Sequence, residues 1–230
     1  VVLVVSGMEK NVLSSYGVKK NKIEVIPNGV DTEVFKPLQE MAFVQKGNNL
    51  KDYSTVIFVG NMEYLPNQEA VHLIATKIAP KVLDKISNVK FLIVGRGSNR
   101  LNLHKQHGLV FMGTVDNVAE VLAASDVAIA PLLHGSGTRL KALEYFACGV
   151  PVVSTSVGVE GLDVNDGLNV LIEDDIDGFA DRIVELIKDK STAKSLGANA
   201  RNVAMERYDW KIISKKLGKV YKRMIQTLEN

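Results

Sequence analysis

Residues 126–154 read DVAIAPLLHGSGTRLKALEYFACGVPVVS. The run 126–131 (DVAIAP) is apolar, too short for a helix, and stopped by Pro131, so it reads as a strand. A glycine-rich loop follows. From Leu140 to Cys148 the apolar residues recur at helical spacing, and Gly149 stands where a helix C-terminus favours glycine. Residues 150–154 (VPVVS) form a second short Val-rich run. Strand, helix and strand in this order make a βαβ unit, with its two strands parallel and its crossover right-handed.

The same pattern extends outward. Short apolar runs recur at 55–60 (TVIFVG), 89–95 (VKFLIVG), 109–113 (LVFMG) and 169–172 (NVLI). Most are nearly continuous rather than alternating, as strands buried on both faces of a parallel sheet require. Between them lie helical patterns at 66–86, at 117–124 with Asp116 as its N-cap, and at 177–188 with an Asp cap. The expected fold is therefore α/β: a Rossmann-like parallel sheet with helices on both faces, running from about 52 to about 190. At the start, 1–5 reads as a strand. Ser6 and Glu9 have capping-box spacing and open a helix to about Tyr16. A short strand (22–26) and a Pro-Asn-Gly turn (27–31) follow. Residues 39–52 read as a polar surface connection, and 191–208 and 211–229 as C-terminal helices. The opening strand carries no charged leader pattern and reads as cut from a longer protein.

Composition narrows the function. The 230 residues are 46% hydrophobic and 23% charged, which excludes a disordered or fibrous chain. Twenty-eight basic against 26 acidic side chains make no field that would point to nucleic acid. A single cysteine excludes a disulfide framework or a Cys-based zinc site and suits a reducing, cytoplasmic setting. No run is long enough to span a membrane.

In an open parallel sheet, ligands bind beyond the carboxyl ends of the strands. That directs attention to 61–67, 96–99, 114–117, 132–141 and 155–161. The richest is the loop of the opening stretch. Gly135 and Gly137 allow close backbone approach, and Ser136, Gly137 and Thr138 sit where free N–H groups and a helix dipole gather an anion. Arg139 and Lys141 add positive charge, and Glu144 follows about one and a half turns later. Such a set suits a nucleotide diphosphate, with N–H groups and cations on phosphate and the carboxylate on ribose hydroxyls. A glycine loop with solvated charges and Glu144 in a local salt bridge would leave the same pattern.

Other candidates are weaker. Gly95-Arg96-Gly97-Ser98-Asn99-Arg100 has two glycines of a dinucleotide fingerprint but Arg100 at the third, so it reads as a tight turn bordering the crevice. His104 and His107 lack a carboxylate partner for a metal and read as a surface helix. Cys148 reads as a packing residue, His134 as a loop histidine, and 211–223 as a solvated basic face with a membrane surface as its alternative.

With these residues in view, the chain resembles the group 1 family of retaining glycosyltransferases, which have the GT-B fold. Three motifs carry the likeness. Val25-Ile26-Pro27-Asn28-Gly29-Val30-Asp31 with Phe35-Lys36-Pro37 is similar to that family's interdomain linker. Phe58-Val59-Gly60 is similar to the opening of its second domain. The segment from Gly135 to Glu144 with Ala147-Cys148-Gly149-Val150-Pro151-Val152-Val153 resembles its donor-site helix and next strand. Tyr64-Leu65-Pro66-Asn67 and Gly137-Thr138-Arg139-Leu140-Lys141 resemble a bacterial and archaeal branch that assembles polysaccharides and surface sugars.

The resemblance implies two Rossmann domains across a cleft, with an acceptor on the first and a nucleotide sugar on the second. Residues 1–37 are then the end of the first domain and the linker, 38–208 the donor-binding domain, and 209–230 a helix returning to the first domain. Glu144 matches the second glutamate of the family's Glu-x7-Glu pattern, implied to hold the ribose; the first falls on Ser136. Asn61, after Gly60, stands where the family often has a pyrophosphate-binding Arg, and Pro66-Asn67 where it has a Lys. Arg139 and Lys141 are expected to supply that charge. Thr114-Val115-Asp116 resembles the segment that touches the base. The implied function is transfer of a hexose from a UDP- or GDP-type donor to a glycan or lipid-linked acceptor. No cofactor beyond the donor and no metal are expected, with at most peripheral contact to the inner membrane face. This half alone is expected to bind donor without transferring it. A GT-B-type sugar-nucleotide epimerase and a non-catalytic nucleotide-sugar-binding module are the alternatives.

Overall fold

Six of the apolar runs form one parallel sheet in the computed structural model, which describes residues 1–38, 50, 52–101, 103, 107–135 and 139–228, with side chains to residue 226. Its strands are β3 (Ser54–Val59), β4 (Val89–Val94), β5 (Leu109–Gly113), β6 (Val127–Ala130), β7 (Val152–Ser154) and β8 (Leu171–Ile172), in the order β5-β4-β3-β6-β7-β8. Every neighbouring pair is parallel; Val56 faces Phe91 on one side and Val127 on the other. The order reverses between β3 and β6, which is where an open α/β sheet leaves its ligand crevice.

Successive strand residues point to opposite faces and so serve two cores. Val56, Phe58 and Phe91 pack with Ile74, Ile78, Phe179 and Ile183 on one face. Ile57, Leu92 and Ala128 pack with Leu143, Tyr145 and Phe146 on the other. The first face is covered by α2 (Leu65–Leu73), α3 (Ala79–Lys85) and α6 (Ile176–Lys188), the second by α4 (Val118–Ala123) and α5 (Leu140–Ala147), while α7 (Lys190–Val203) gives Ala193 and Leu196 to the first core and Ala200 to the second.

Local chemistry corrects three sequence expectations. The helix expected over 66–86 is interrupted by a π-turn at Ile74–Ile78. Pro80 has no N–H to continue the ladder, so the hydrogen bonding shifts register before it. The N-cap of α4 is Asn117, whose side chain accepts from the Glu120 N–H at 3.3 Å, rather than Asp116. The Asp cap of α6 is Asp175, which accepts from the Gly178 N–H at 2.9 Å. The polar connection expected over 39–52 lies, but for residues 50 and 52, outside the described residues.

A smaller unit precedes the sheet: β1 (Val2–Val4), α1 (Gly7–Ser15) and β2 (Ile23–Val25), with β1 and β2 parallel. The Ser6 hydroxyl accepts from the Glu9 N–H at 3.2 Å and the Glu9 carboxylate accepts from the Val5 N–H at 2.9 Å, so the capping spacing is used. The segment after β2 is joined to the chain's far end. The Val30 N–H donates to the Tyr208 carbonyl at 2.8 Å, the Trp210 N–H to the Val30 carbonyl at 3.2 Å, and the Thr32 hydroxyl to Asp209. Arg201 donates to the carbonyls of Thr32 (3.1 Å), Phe35 (2.7 Å) and Ala147, tying the C-terminus of α5 to the same joint. From it runs α8 (Trp210–Leu228), held on β2 by an Arg223–Glu24 pair.

Candidate functional site

Three glycines let the strand ends close on one another. The Gly60 N–H donates to the Val94 carbonyl at 3.0 Å, and the Gly95 N–H donates to the Gly113 carbonyl at 2.7 Å. Gly95 sits at φ +128°, and a Cβ there would overlap the Gly60 carbonyl oxygen. That is the reason for glycine at the end of β4. The turn Ser98–Arg100 follows, and its Ser98 hydroxyl accepts from the Gly113 N–H at 3.0 Å. The expected tight turn at 95–100 is thus the floor of the crevice.

Asn67, on α2, closes the wall beyond β3. Its side-chain amide donates to the Asn61 carbonyl at 2.8 Å, and Gly60 leaves it room: a Cβ on Gly60 would lie 2.8 Å from the Asn67 amide carbon. The Asn67 side-chain oxygen accepts from the Lys141 ammonium at 2.6 Å. Lys141 comes from α5, on the opposite face of the sheet, so this contact bridges the crevice between the two helices. The ammonium also stands 4.2 Å over the Phe58 ring. Among the described residues it has no carboxylate in ion-pair range. Burial lowers its pKa to about 7; the neighbouring Arg139 charge pushes the same way, against the pull of Glu144.

Glu144, one turn along α5, is half-buried, and its carboxylate accepts no hydrogen bond and forms no ion pair among the described residues. Burial raises its pKa and Lys141 opposes the shift. Beside it, the buried Tyr145 hydroxyl accepts from the Val59 N–H at 2.9 Å and fixes α5 against the end of β3.

Arg139 differs from its expected role as a cation facing phosphate. It is only 5% exposed. Its guanidinium donates to the carbonyls of Val157 (2.7 Å) and Gly135 (3.1 Å) and pairs with Glu160 at 3.0 Å. The reason is geometric: from the N-cap of α5 its side chain reaches back to Gly135 and across to the turn after β7. Gly135 sits at φ +144°, with Arg139 and the Tyr64 hydroxyl where a Cβ would be. Ser136, Gly137 and Thr138 lie outside the described residues. Asn61 is exposed and its side chain accepts from the Glu63 N–H at 3.0 Å. Val115 packs its side chain on the second core at the far wall.

The lesser candidates resolve simply. Cys148 is buried and its thiol is pushed up to about 12, mainly by burial. His134 is exposed and contacts Glu69. His104 lies outside the described residues. Among the described residues, no group of three or more His, Cys, Asp or Glu gathers as a metal would need. None of their helices is long and apolar enough to cross a membrane.

Asn67 and Glu160 were not named as site residues from sequence. Asn67 was visible as the residue standing where a lysine belongs. Glu160 lay within the segment 155–161 beyond β7, but nothing there pointed to Arg139, which it meets from 21 positions away.

The fold is an open parallel α/β sheet, with Lys141 and Glu144 on the helix that follows its central β6. The family follows: residues 53–189 match the model of Glycosyl transferases group 1, and the chain belongs to that family. Residues 1–34 match a second model, Glycosyltransferase Family 4. The phosphatidyl-myo-inositol mannosyltransferase of Mycolicibacterium smegmatis is 31% identical over 207 residues, 85% of this chain and 50% of that protein. The N-acetyl-alpha-D-glucosaminyl L-malate synthase of Bacillus anthracis is 30% identical over 202 residues, 83% of this chain and 51% of that protein. The chain thus spans about half the length of the curated relatives it matches. Anabaena HepE, crystallised with UDP-glucose, superposes with a TM-score of 0.79 at 18% identity, over 97% of this chain and 64% of that one, and is a likeness of fold.

Proposed function

We propose that this chain is the nucleotide-sugar-binding half of a retaining glycosyltransferase that moves a hexose from a UDP- or GDP-type donor to a glycan or lipid-linked acceptor. The observation that carries the reading is the α5 face, where Lys141 bridges to Asn67 and the Glu144 carboxylate has no hydrogen-bond or ion-pair partner among the described residues. A diphosphate in the crevice gives Lys141 a counter-charge in ion-pair range, which no described residue supplies. Ribose hydroxyls donate to Glu144, whose burial makes each such bond stronger than in water. The departing diphosphate gathers charge as the glycosidic bond of the donor breaks, and a fixed cation there favours that state. The mannosyltransferase and glucosaminyl-transfer names of the relatives, and the UDP-glucose of HepE, support a hexosyl donor.

On this reading, 1–37 closes an acceptor domain and α8 returns to it. Titration calorimetry with UDP, GDP and their sugars tests it. One nucleotide diphosphate should bind, and Glu144→Ala should weaken it. Heat-silent titrations with both families of nucleotide would overturn the proposal.

A further inference from the structure

The Asn67 side chain is held from three sides. It is 6% exposed, and a buried amide needs partners for its N–H groups and its oxygen. Its Nδ2 donates to the Asn61 carbonyl at 2.8 Å, and its Oδ1 accepts from the Lys141 ammonium at 2.6 Å. An ammonium only donates and a carbonyl only accepts, so these two neighbours fix which way round the amide lies. Gly60 fixes where it lies. A Cβ at 60 would stand 2.8 Å from Asn67 Cγ, 2.9 Å from its Nδ2 and 3.1 Å from its Oδ1. The amide therefore packs against the backbone just past β3. That contact, and not a positive φ, is what asks for glycine at 60.

A lysine carries its ammonium on a flexible four-carbon stem and can donate three hydrogen bonds. Among the described residues the Lys141 ammonium has one acceptor, Asn67, and the Phe58 ring 4.2 Å away as a second support. We infer that Asn67 is a positioning residue of the donor site: its amide oxygen holds the Lys141 ammonium in the crevice with an uncharged acceptor, so the cation keeps its place while its charge is left for the donor's diphosphate. The inference rests on the donor-site reading above and deepens it. A carboxylate at 67 would hold the ammonium as firmly, but would neutralise it and repel a phosphate. An alanine would leave the charge and release the stem. Among the described residues the charged groups acting on Lys141 are Arg139 and Glu144, at the cap and along the same helix. Both stay in place in every variant below.

The test is calorimetry with whichever of UDP and GDP binds the unmodified chain, with the matching nucleoside titrated by NMR. Asn67→Ala should raise the diphosphate Kd roughly tenfold, the effect of losing one charge-assisted hydrogen bond, and leave nucleoside affinity unchanged. In a Lys141→Met background the same substitution should change nothing further, because its route to the ligand is gone. Asn67→Asp keeps the size of the side chain and adds a charge. It should weaken diphosphate binding at pH 7 and abolish the fall in affinity above pH 7 that a lysine of pKa about 7 gives the unmodified chain, since the new carboxylate keeps Lys141 protonated. Gly60→Ala displaces the amide without altering either partner. It should mimic Asn67→Ala, and in the Asn67→Ala background it should do nothing more, because the group it strikes is gone. If the Asn67 variants melt out, Gly60→Ala with and without Lys141→Met decides the matter. A loss in Asn67→Ala or Gly60→Ala that persists undiminished in the Lys141→Met background makes Asn67 a structural support and overturns the inference while leaving the donor site standing. So does an Asn67→Asp affinity that still falls above pH 7, or unchanged diphosphate affinity in Asn67→Ala. Absence of binding by either nucleotide to the unmodified chain overturns the donor site and the inference together.

Discussion

Lys141 makes ligand binding a proton-uptake reaction. Its ammonium has lost water and faces Arg139, and among the described residues it has Asn67, the Phe58 ring and the pull of Glu144 in return, which brings its pKa to about 7. At pH 8 such a group is charged in about one molecule in ten. A diphosphate beside it favours the charged form, so the bound pKa rises and the complex captures nearly a whole proton. The sign follows from linkage: the complex binds more protons than the free chain above pH 7, so affinity falls as pH rises, by up to about tenfold per unit, and levels off below 7. The second ionisation of a phosphate lies near 6, so the ligand's own charge is constant in this window. Titration calorimetry at pH 8 in Tris and in HEPES should give enthalpies that differ by close to one proton's worth of buffer ionisation heat. Lys141→Arg, which cannot lose its charge, should bind with a flat profile from pH 7 to 9. Buffer-independent enthalpy together with constant affinity over that range in the unmodified chain would refute the reasoning. In the free chain the same group adds stability as pH climbs from about 7 towards 10, because the unfolded lysine still holds the proton the folded one has released.

Glu144→Ala should weaken nucleotide binding by about 1.5–3 kcal/mol, tenfold to a hundredfold or more, with its unfolding transition in place; calorimetry and a denaturant curve check both halves. Tyr145→Phe leaves the Val59 N–H without its acceptor in a buried place and should cost about 1–3 kcal/mol in urea unfolding, with the m-value unchanged. Gly95→Ala combines a positive φ with an overlap on Gly60 and should destabilise by about 1–3 kcal/mol or more, whereas alanine at Gly7, which has open space, should be close to neutral. Both are read from thermal melts.

Periodicity and length reached the sheet because most of its strands are buried on both sides, so the runs are nearly all apolar and, except 169–172, end on Gly, Pro or Ser. The helix over 66–86 was legible in extent, but its π-turn was not, since a proline tells where a ladder breaks and not how it recovers. Lys141 and Glu144 could be read together because they lie on one helix, where spacing is geometry. The surroundings of Arg139 could not be read. Whether a cation faces a ligand or the protein depends on what stands behind it, and Glu160 arrives from another strand's turn. Asn67 and Lys141 likewise meet across the sheet, 74 positions apart, a juxtaposition that only topology creates.

The strand order has a consequence in time. β3 sits at the centre of the finished sheet, yet its second neighbour, β6, is made long after it: Val56 pairs with Val127. At about 5–20 residues per second of synthesis, β3 waits roughly 4–14 s as an open edge while β4 and β5 form on its other side. During that interval the run TVIFV, with no charge and no proline, has unpaired backbone groups on one side and apolar side chains on both faces. That exposed interval comes during synthesis, before α5 exists, and it ends when the strand that leads into the glycine loop is laid down beside β3.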